Sequence, residues 1–363
     1  MRNATRVLFN SYVSQIALIN GVPDASVQFT VAPAVQQTLV ERIQQSSEFL
    51  SSISMILVPD QEGQKVGIGV TRPISGRTNT ANNTRRQPTD PTDTSEMDTY
   101  RCEKTDFDWA IPYAKLDAWR HKPEFETILR DAILKQQGRD TIMIGWNGTS
   151  VAPQTDRAAN PLLQDVNKGW LHKIRTVAPA RWVEDGDLTP DGTKAIYIAS
   201  GVELFNKDAN TGAGNADTAK ADYVNLDALV IDAIELLDEW QRDSTDLVVI
   251  AGRDLVHDKY FPMINAAGDS AMQQEARDRI LRSEKQIGGL PAVRVPFFPA
   301  NALLITSLEN LAIYEQEETR RRQLKDEGEY SRVANYESAN LSYVVEDYGK
   351  TALVENIRLA AKP

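Results

Sequence analysis

Chemistry at neutral pH draws most readily on histidine, and this chain carries three, His121, His172 and His257, in three separate segments. None stands in a metal-ligand spacing such as His-Glu-x-x-His, so each reads as an exposed or hydrogen-bonded side chain. The pairs Asp238-Glu239 and Glu346-Asp347 have the functional groups for acid-base work, but spacing alone does not separate that from simple solvation. Gly67 and Gly69 form a Gly-x-Gly, and Gly145 with Gly148 a Gly-x-x-Gly; neither completes a phosphate-binding fingerprint with its lysine or third glycine. No Gly-x-Ser-x-Gly elbow occurs. Cys102, the only cysteine, has no histidine near it in sequence and reads as packed and inert. It also excludes an intrachain disulfide and a cysteine-built zinc site, which fits a reducing compartment. Asn147-Gly148-Thr149 matches a glycosylation acceptor, without consequence for a chain that shows no secretory signal. The expectation is a protein with no catalytic site, no metal and no cofactor.

With 363 residues, the chain exceeds the size at which one core keeps growing, so two or more lobes are expected. Hydrophobic residues at 41% and charged residues at 25% are ordinary for a folded chain. The formal charge of −11 repels a phosphate backbone, and no basic run with interleaved aromatics offsets it. Arg320-Arg321-Arg322 follows Glu315, Glu317 and Glu318 and reads as a solvated, salt-bridged stretch. The N-terminus lacks the apolar core of a secretory signal, and nowhere do about 18 apolar residues run together. A cytosolic product without a membrane partner is expected.

The elements follow from periodicity. Leu8, Tyr12, Ile16 and Ile19 recur at helical spacing, and Asn20-Gly21 before Pro23 supplies a stop. A second helix starts at Pro33 and places Leu39, Ile43, Leu50 and Ile53 on one stripe. Val22 to Ala32 between them reads as a linker. From Met55 to Tyr113, β-rich flanks enclose a polar stretch, Ser75 to Asp98, predicting a long hairpin that reaches away from the core. The longest helix is expected from Pro123 to Ile144, weakened at Gly138 and ended by a turn at Gly145-Trp146-Asn147-Gly148-Thr149. Val183 to Asp222 is polar; Leu226, Leu229, Val230, Ala233 and Leu237 mark another helix. Buried strands are expected at Leu247 to Ala251, around Val293 and at Leu303-Leu304-Ile305, with a helical stretch through Arg282 between the first two. Alternation from Arg332 to Ile357 predicts closing antiparallel strands. The lack of a chemical site, the hairpin and the amphipathic arm together favour a function in self-association.

Specific words then carry a resemblance. Met1-Arg2, Thr5-Arg6, Phe9-Asn10 and Tyr12 open the chain; Asn160 to Val166 with Gly169-Trp170-Leu171 follows the long helix. Further on come Asp246 to Ile250, Lys259-Tyr260-Phe261-Pro262, Leu290 to Pro296, Tyr336-Glu337-Ser338 and Val344 to Tyr348. In this order they resemble the major capsid proteins of Peduovirus-type tailed bacteriophages, nearly end to end. Glu184 to Asp222 resembles that family least.

The resemblance implies an α+β chain with the Hong Kong 97-type capsid fold. It implies an N-terminal arm over 1–55, an extended loop over 56–112, a peripheral lobe with a spine helix over 113–160, an axial lobe over 161–319 and return strands over 320–363. It further implies hexamers and pentamers in an icosahedral virion shell assembled in the host cytoplasm, with a scaffolding protein, a maturation protease and a portal as partners. DNA would be enclosed without sequence-specific binding. On this reading Arg72, Arg77, Arg85 and Arg86 meet acidic groups of a neighbouring subunit, and Leu8, Tyr12, Ile16 and Ile19 contact scaffold. Val22, Ser26, Phe29 and Ala32 mark the region cut in maturation. Two alternatives stay open: a bacterial nanocompartment shell of the same fold, and a cytosolic α/β enzyme using Asp246 or Asp254 at a strand end.

Overall fold

The structure, a computed structural model, describes residues 1–65, 69–70, 75, 77, 92–93, 98–119, 125–186, 194–198, 221–256 and 285–359. Helix α1 (Asn3–Asn20) ends where Gly21 takes the left-handed conformation, φ 64°, which a residue without Cβ adopts freely. Strand β1 (Phe29–Thr30) and helix α2 (Pro33–Gln45) follow, the latter opened by Pro33 in its first turn. The short helix α3 (Glu48–Ser52) leads into β2 (Ser54–Val58).

The first sheet is built on β17 (Arg332–Val345). One flank of β17 carries two strands in line, β15 (Leu311–Gln316) and β16 (Arg321–Glu327). Their registers are offset: Glu315 faces Leu341 and Arg321 faces Ser338. Five residues, 316–320, therefore lie opposite two, 339–340, a large bulge that breaks the ladder and bends the strand. On the other flank β7 (Glu103–Asp106) and β8 (Trp109–Pro112) also pair with β17, without an offset between them. Beyond the bulged pair, β2 runs parallel to β15 and β1 runs antiparallel to β16.

The projecting part of the expected loop is shorter than 56–112. Strands β3 (Glu62–Lys65) and β6 (Asp98–Arg101) pair antiparallel, as do β4 (Gly69–Val70) and β5 (Thr92–Asp93). Residues 54–58 and 103–112 belong instead to the first sheet, where the apolar Cys102, Val58 and Tyr314 pack together.

After α4 (Tyr113–Trp119), the long helix α5 runs Phe125–Asn147 over 23 residues, about 34 Å at 1.5 Å per residue. It continues past the expected end at Ile144 because Trp146 is buried against α6 (Trp170–Val177), with Trp146 and Trp170 ring centroids 4.9 Å apart. Gly138 and Gly145 are crossing points. A Cβ on Gly145 would sit 2.3 Å from the Trp170 ring, and one on Gly138 would sit 2.5 Å from Ser46 Oγ.

The second sheet has the order β12 (Gln286–Ile287), β13 (Leu290–Val293), β11 (Val248–Ala251), β14 (Leu303–Thr306), β18 (Ala352–Val354), β9 (Trp182–Val183). Its centre is buried on both faces. Ile250, Leu304 and Leu353 face the cluster built on α5, α6, β15 and β17. Val249, Leu303, Ile305, Ala352 and Val354 face α7 (Leu226–Ile234). Two-sided burial is why Leu303-Leu304-Ile305 reads as an unbroken apolar run. A last pair joins β10 (Ile196–Tyr197) parallel to β19 (Ile357–Arg358). The closing segment is thus divided: residues 332–345 enter the first sheet, while 352–358 enter the second sheet and the β10 pair. The all-antiparallel expectation fails there, because β18 is parallel to β9 and β19 to β10. The helical stretch expected up to Arg282 lies mostly outside the described residues.

Candidate functional site

The groups with chemical potential are committed to structural contacts. Glu346 accepts from the Tyr314 hydroxyl at 2.8 Å and faces Lys65 at 3.3 Å. Asp347 accepts from the Gly349 N–H at 2.7 Å, while its own N–H donates to Asn310 Oδ1. Asp238 pairs with Arg181, and Asp246 with Lys350 at 2.6 Å; Glu239 and Asp254 are exposed. His172 lies half-buried on α6, its basicity lowered by burial and by Lys168, Arg175 and Lys173. His121 and His257 lie outside the described residues. Burial pushes the Cys102 thiol up to about 11, where the nucleophilic thiolate is scarce. Gly145 and Gly148 belong to helix packing: added Cβ atoms would meet Trp170 and the Asn167 carbonyl. Among the described residues no cluster of His, Cys, Asp and Glu is placed to hold a metal ion, and no helix is long and apolar enough to cross a membrane.

The arginine triplet is where the structure corrects the sequence reading. Arg321 is exposed, but Arg320 is only 1% exposed. Its Nε donates to Glu337 Oε1 at 2.9 Å and its Nη1 to Glu315 Oε1 at 3.1 Å. Burial raises the Glu337 carboxyl, but Arg320, then Arg322, and hydrogen bonds from Arg320 and Gln137 outweigh it and leave the group below the usual carboxylate range. The salt-bridge half of the expectation holds; the solvated half does not, because the bulge at 316–320 turns the side chain inward. Gln36, fully buried on α2, joins the group. Its role went unread because its partners lie some 280 positions away. An acid closing the apolar strand Leu311–Tyr314 was the available signal, since a buried carboxylate needs a cation.

The arm residues take different environments. Ile16 is buried and Tyr12 half-buried against the first sheet, while Leu8 and Ile19 are 45% and 55% exposed. The face α1 turns inward also carries Phe9, Val13 and Ala17; Val7 and Leu18 stand outward. The segment read as a linker lies along the edge of β16, with strand pairing at Phe29–Thr30. Ala25, Phe29 and Val31 are buried, Ser26 is exposed, and Val22 and Ala32 are half-buried. Alternation of apolar residues there meets an open sheet edge, which explains the zippering. Of the hairpin arginines, Arg77 is exposed, and Arg72, Arg85 and Arg86 lie outside the described residues.

What the geometry offers is surface for association: a two-stranded ribbon with no buried residue among those described, an arm laid along a sheet edge and carboxylates tied into the frame. The mixed helix-and-strand fold is the Hong Kong 97-type fold of phage capsids; the chain covers 99% of itself and 98% of a chain in the satellite phage P4 procapsid including size determination (Sid) protein, at TM-score 0.76 and 42% identity. The family described as phage major capsid protein, P2 family, matches residues 8–357. The capsid proteins of Escherichia phage P2 are 44% identical over 99% of this chain and 96% of their own length. The major capsid protein of Serratia phage KSP20 is 40% identical over 99% and 98%. The chain belongs to the P2 family of phage major capsid proteins. It is a subunit of the multi-subunit shell of a tailed-phage virion, and this reading displaces both the nanocompartment and the enzyme alternatives.

Proposed function

We propose that this chain closes an icosahedral head as hexamers and pentamers around double-stranded DNA, without catalytic activity of its own. Assembly takes place in the host cytoplasm with a scaffolding protein, a portal and a maturation protease. The observation that carries the reading is the ribbon of β3 and β6. No residue described in these two strands is buried, and an isolated two-stranded ribbon is marginal in water. Its support comes from adjacent copies, with Arg72, Arg77, Arg85 and Arg86 meeting acidic groups there. Each exposed pair contributes only about 0 to 1 kcal/mol, so repetition and apolar contacts hold the shell.

The exposed positions around Ser26 are where the protease acts, on a segment first peeled from β16. Loss of residues 1–31 removes Arg2, Arg6 and Asp24 and moves the formal charge from −11 to −12. Before that cut, the arm helix engages scaffold through its outward side with Leu8 and Ile19, while Tyr12 and Ile16, turned to the sheet, hold the helix in place. Co-expression with scaffold and protease, followed by electron microscopy and intact mass, tests these statements. Full-sized stable shells from a chain lacking residues 78–96 overturn the role of the loop, and a full-length mass in mature particles overturns processing.

A further inference from the structure

The polar group under α2 is more than ballast. The amide of Gln36 sits inside the bulge between β15 and β16 and is matched on both sides. Its Nε2 donates to Glu315 Oε1 at 2.8 Å and to the Gln316 carbonyl at 3.0 Å, while its Oε1 accepts from the Glu318 N–H at 3.1 Å. Glu318 has φ 58° there, a left-handed conformation that a non-glycine residue holds only when its surroundings over-determine it. Glu315 in turn holds the guanidinium of Arg320, which is gripped from its far side by Glu337.

The same Arg320 is the first rung of the arm. Its carbonyl accepts from the Val31 N–H at 2.8 Å, and the next rungs are Thr30 opposite Arg321 and Phe29 opposite Arg322. The zipper continues to the Leu324 N–H, which donates to the Ala25 carbonyl at 3.0 Å, and to Gln323, whose side chain donates to the Ser26 carbonyl. Side-chain and main-chain contacts of one residue thus connect the base of α2 to the path of the arm.

Burial of Ala25, Phe29 and Val31 fixes which face of the arm turns inward, and the contacts at its Arg320 end fix where along β16 the arm begins. Val31 and Gln36 are separated by only four residues, and both ends of that short span are anchored on the bulge. We propose that Gln36 is a positioning residue for the N-terminal arm: through Glu315 and Arg320 it locks the bulge in one conformation, so that residues 25–31 lie on β16 in one register. Which peptide bonds of the arm face outward is decided at this point. The inference concerns contacts within one chain and stands apart from the shell assembly proposed above.

The test uses the unassembled full chain and hydrogen exchange at residues 25–31, with the amides of 311–313 and 343–345 as internal reference. Gln36→Glu places a second carboxylate against Glu315; exchange in the arm is expected to rise about tenfold while the reference amides keep their protection. If Gln36→Glu does not fold, Gln36→Met keeps the length without the like charge and is expected to loosen the arm about threefold. Native arm exchange in the folded variants overturns the proposal. So does an equal rise in the reference amides, which marks a merely structural role.

Discussion

Gly145→Ala and Gly138→Ala are the same chemical change on one helix, and the structure assigns them opposite outcomes. In both, alanine favours the helix by about 1 kcal/mol over glycine. At Gly138 the added methyl meets the rotatable Ser46 hydroxyl at 2.5 Å and Leu50 Cδ1 at 3.2 Å. These are side-chain ends that can turn aside, so stability stays within about 1 kcal/mol of native. At Gly145 the methyl falls 2.3, 2.7 and 2.8 Å from three atoms of the Trp170 ring. That ring is fully buried and packed against Trp146, Phe49 and Tyr343 at centroid distances of 4.9, 6.1 and 5.2 Å. Its Nε1 donates to the Ala312 carbonyl at 3.0 Å. Overpacking costs about 1 to 3 kcal/mol, and a displaced indole adds a lost buried hydrogen bond of about 1 kcal/mol. After the helix gain, a net loss of about 1 to 3 kcal/mol remains. Urea unfolding of the unassembled chain measures it as a lower midpoint at unchanged slope. A Gly145→Ala midpoint equal to native would refute the reasoning that α6 is wedged against α5 by this ring.

Three further outcomes follow from the buried charges and the thiol. Arg320→Met leaves Glu315 and Glu337 buried without their cation and costs about 3 to 5 kcal/mol, whereas the exposed Arg321→Met stays within about 0.5 kcal/mol; equal effects in denaturant melts would contradict the burial of Arg320. Because the Glu337 carboxyl lies below its unfolded value, its contribution is complete above the ordinary glutamate range near about 4.3 and is lost as pH falls further. Glu337→Gln therefore flattens the acid limb of a thermal-midpoint-versus-pH curve, and an unchanged limb counts against the assignment. Cys102, with its pKa pushed to about 11 and no solvent exposure, is expected to resist an aromatic disulfide reagent at pH 8 until denaturant is added; rapid labelling of the native chain would show the site to be open.

Local signals made the arm and the long helix legible, and tertiary contacts decided the rest. Gly21 and Pro33 punctuate α1 and α2 where the sequence puts them, since backbone conformation there is set by the residue itself. At the end of α5, Gly145 and Asn147-Gly148 look like stop signals, yet burial of Trp146 carries the helix through to Asn147. Val22 to Ala32 reads as a linker because its strand pairing is confined to Phe29–Thr30, too short for a periodic run to stand out, and its partner β16 lies some 290 positions away. The arginine triplet misleads for a related reason. Its near neighbours Glu317 and Glu318 are exposed, while the two carboxylates that bury Arg320 are joined to it by a bulge that no local pattern announces. Surface association was legible by elimination and through the family resemblance, and of the hairpin arginines only Arg77 lies within the described residues.

The distribution of burial bears on how this chain completes its fold. From β15 through β18 nearly every inward position is closed off, and α5 and α6 lock onto that frame through four aromatic rings. The ribbon of β3 and β6 has no buried residue among those described; it meets the frame through Tyr100, edge-on to Tyr314 at 5.1 Å, and through Lys65, which donates to the Val345 carbonyl at 2.8 Å. A segment that buries so little cannot offset the conformational entropy of ordering it, which costs roughly 1 to 2 kcal/mol per residue. On the assembly proposed above, a neighbouring copy supplies the missing surface. On that proposal, a frame closed within the single chain and a ribbon that meets its neighbours let one sequence take up the different angles of hexamers and pentamers without straining the core.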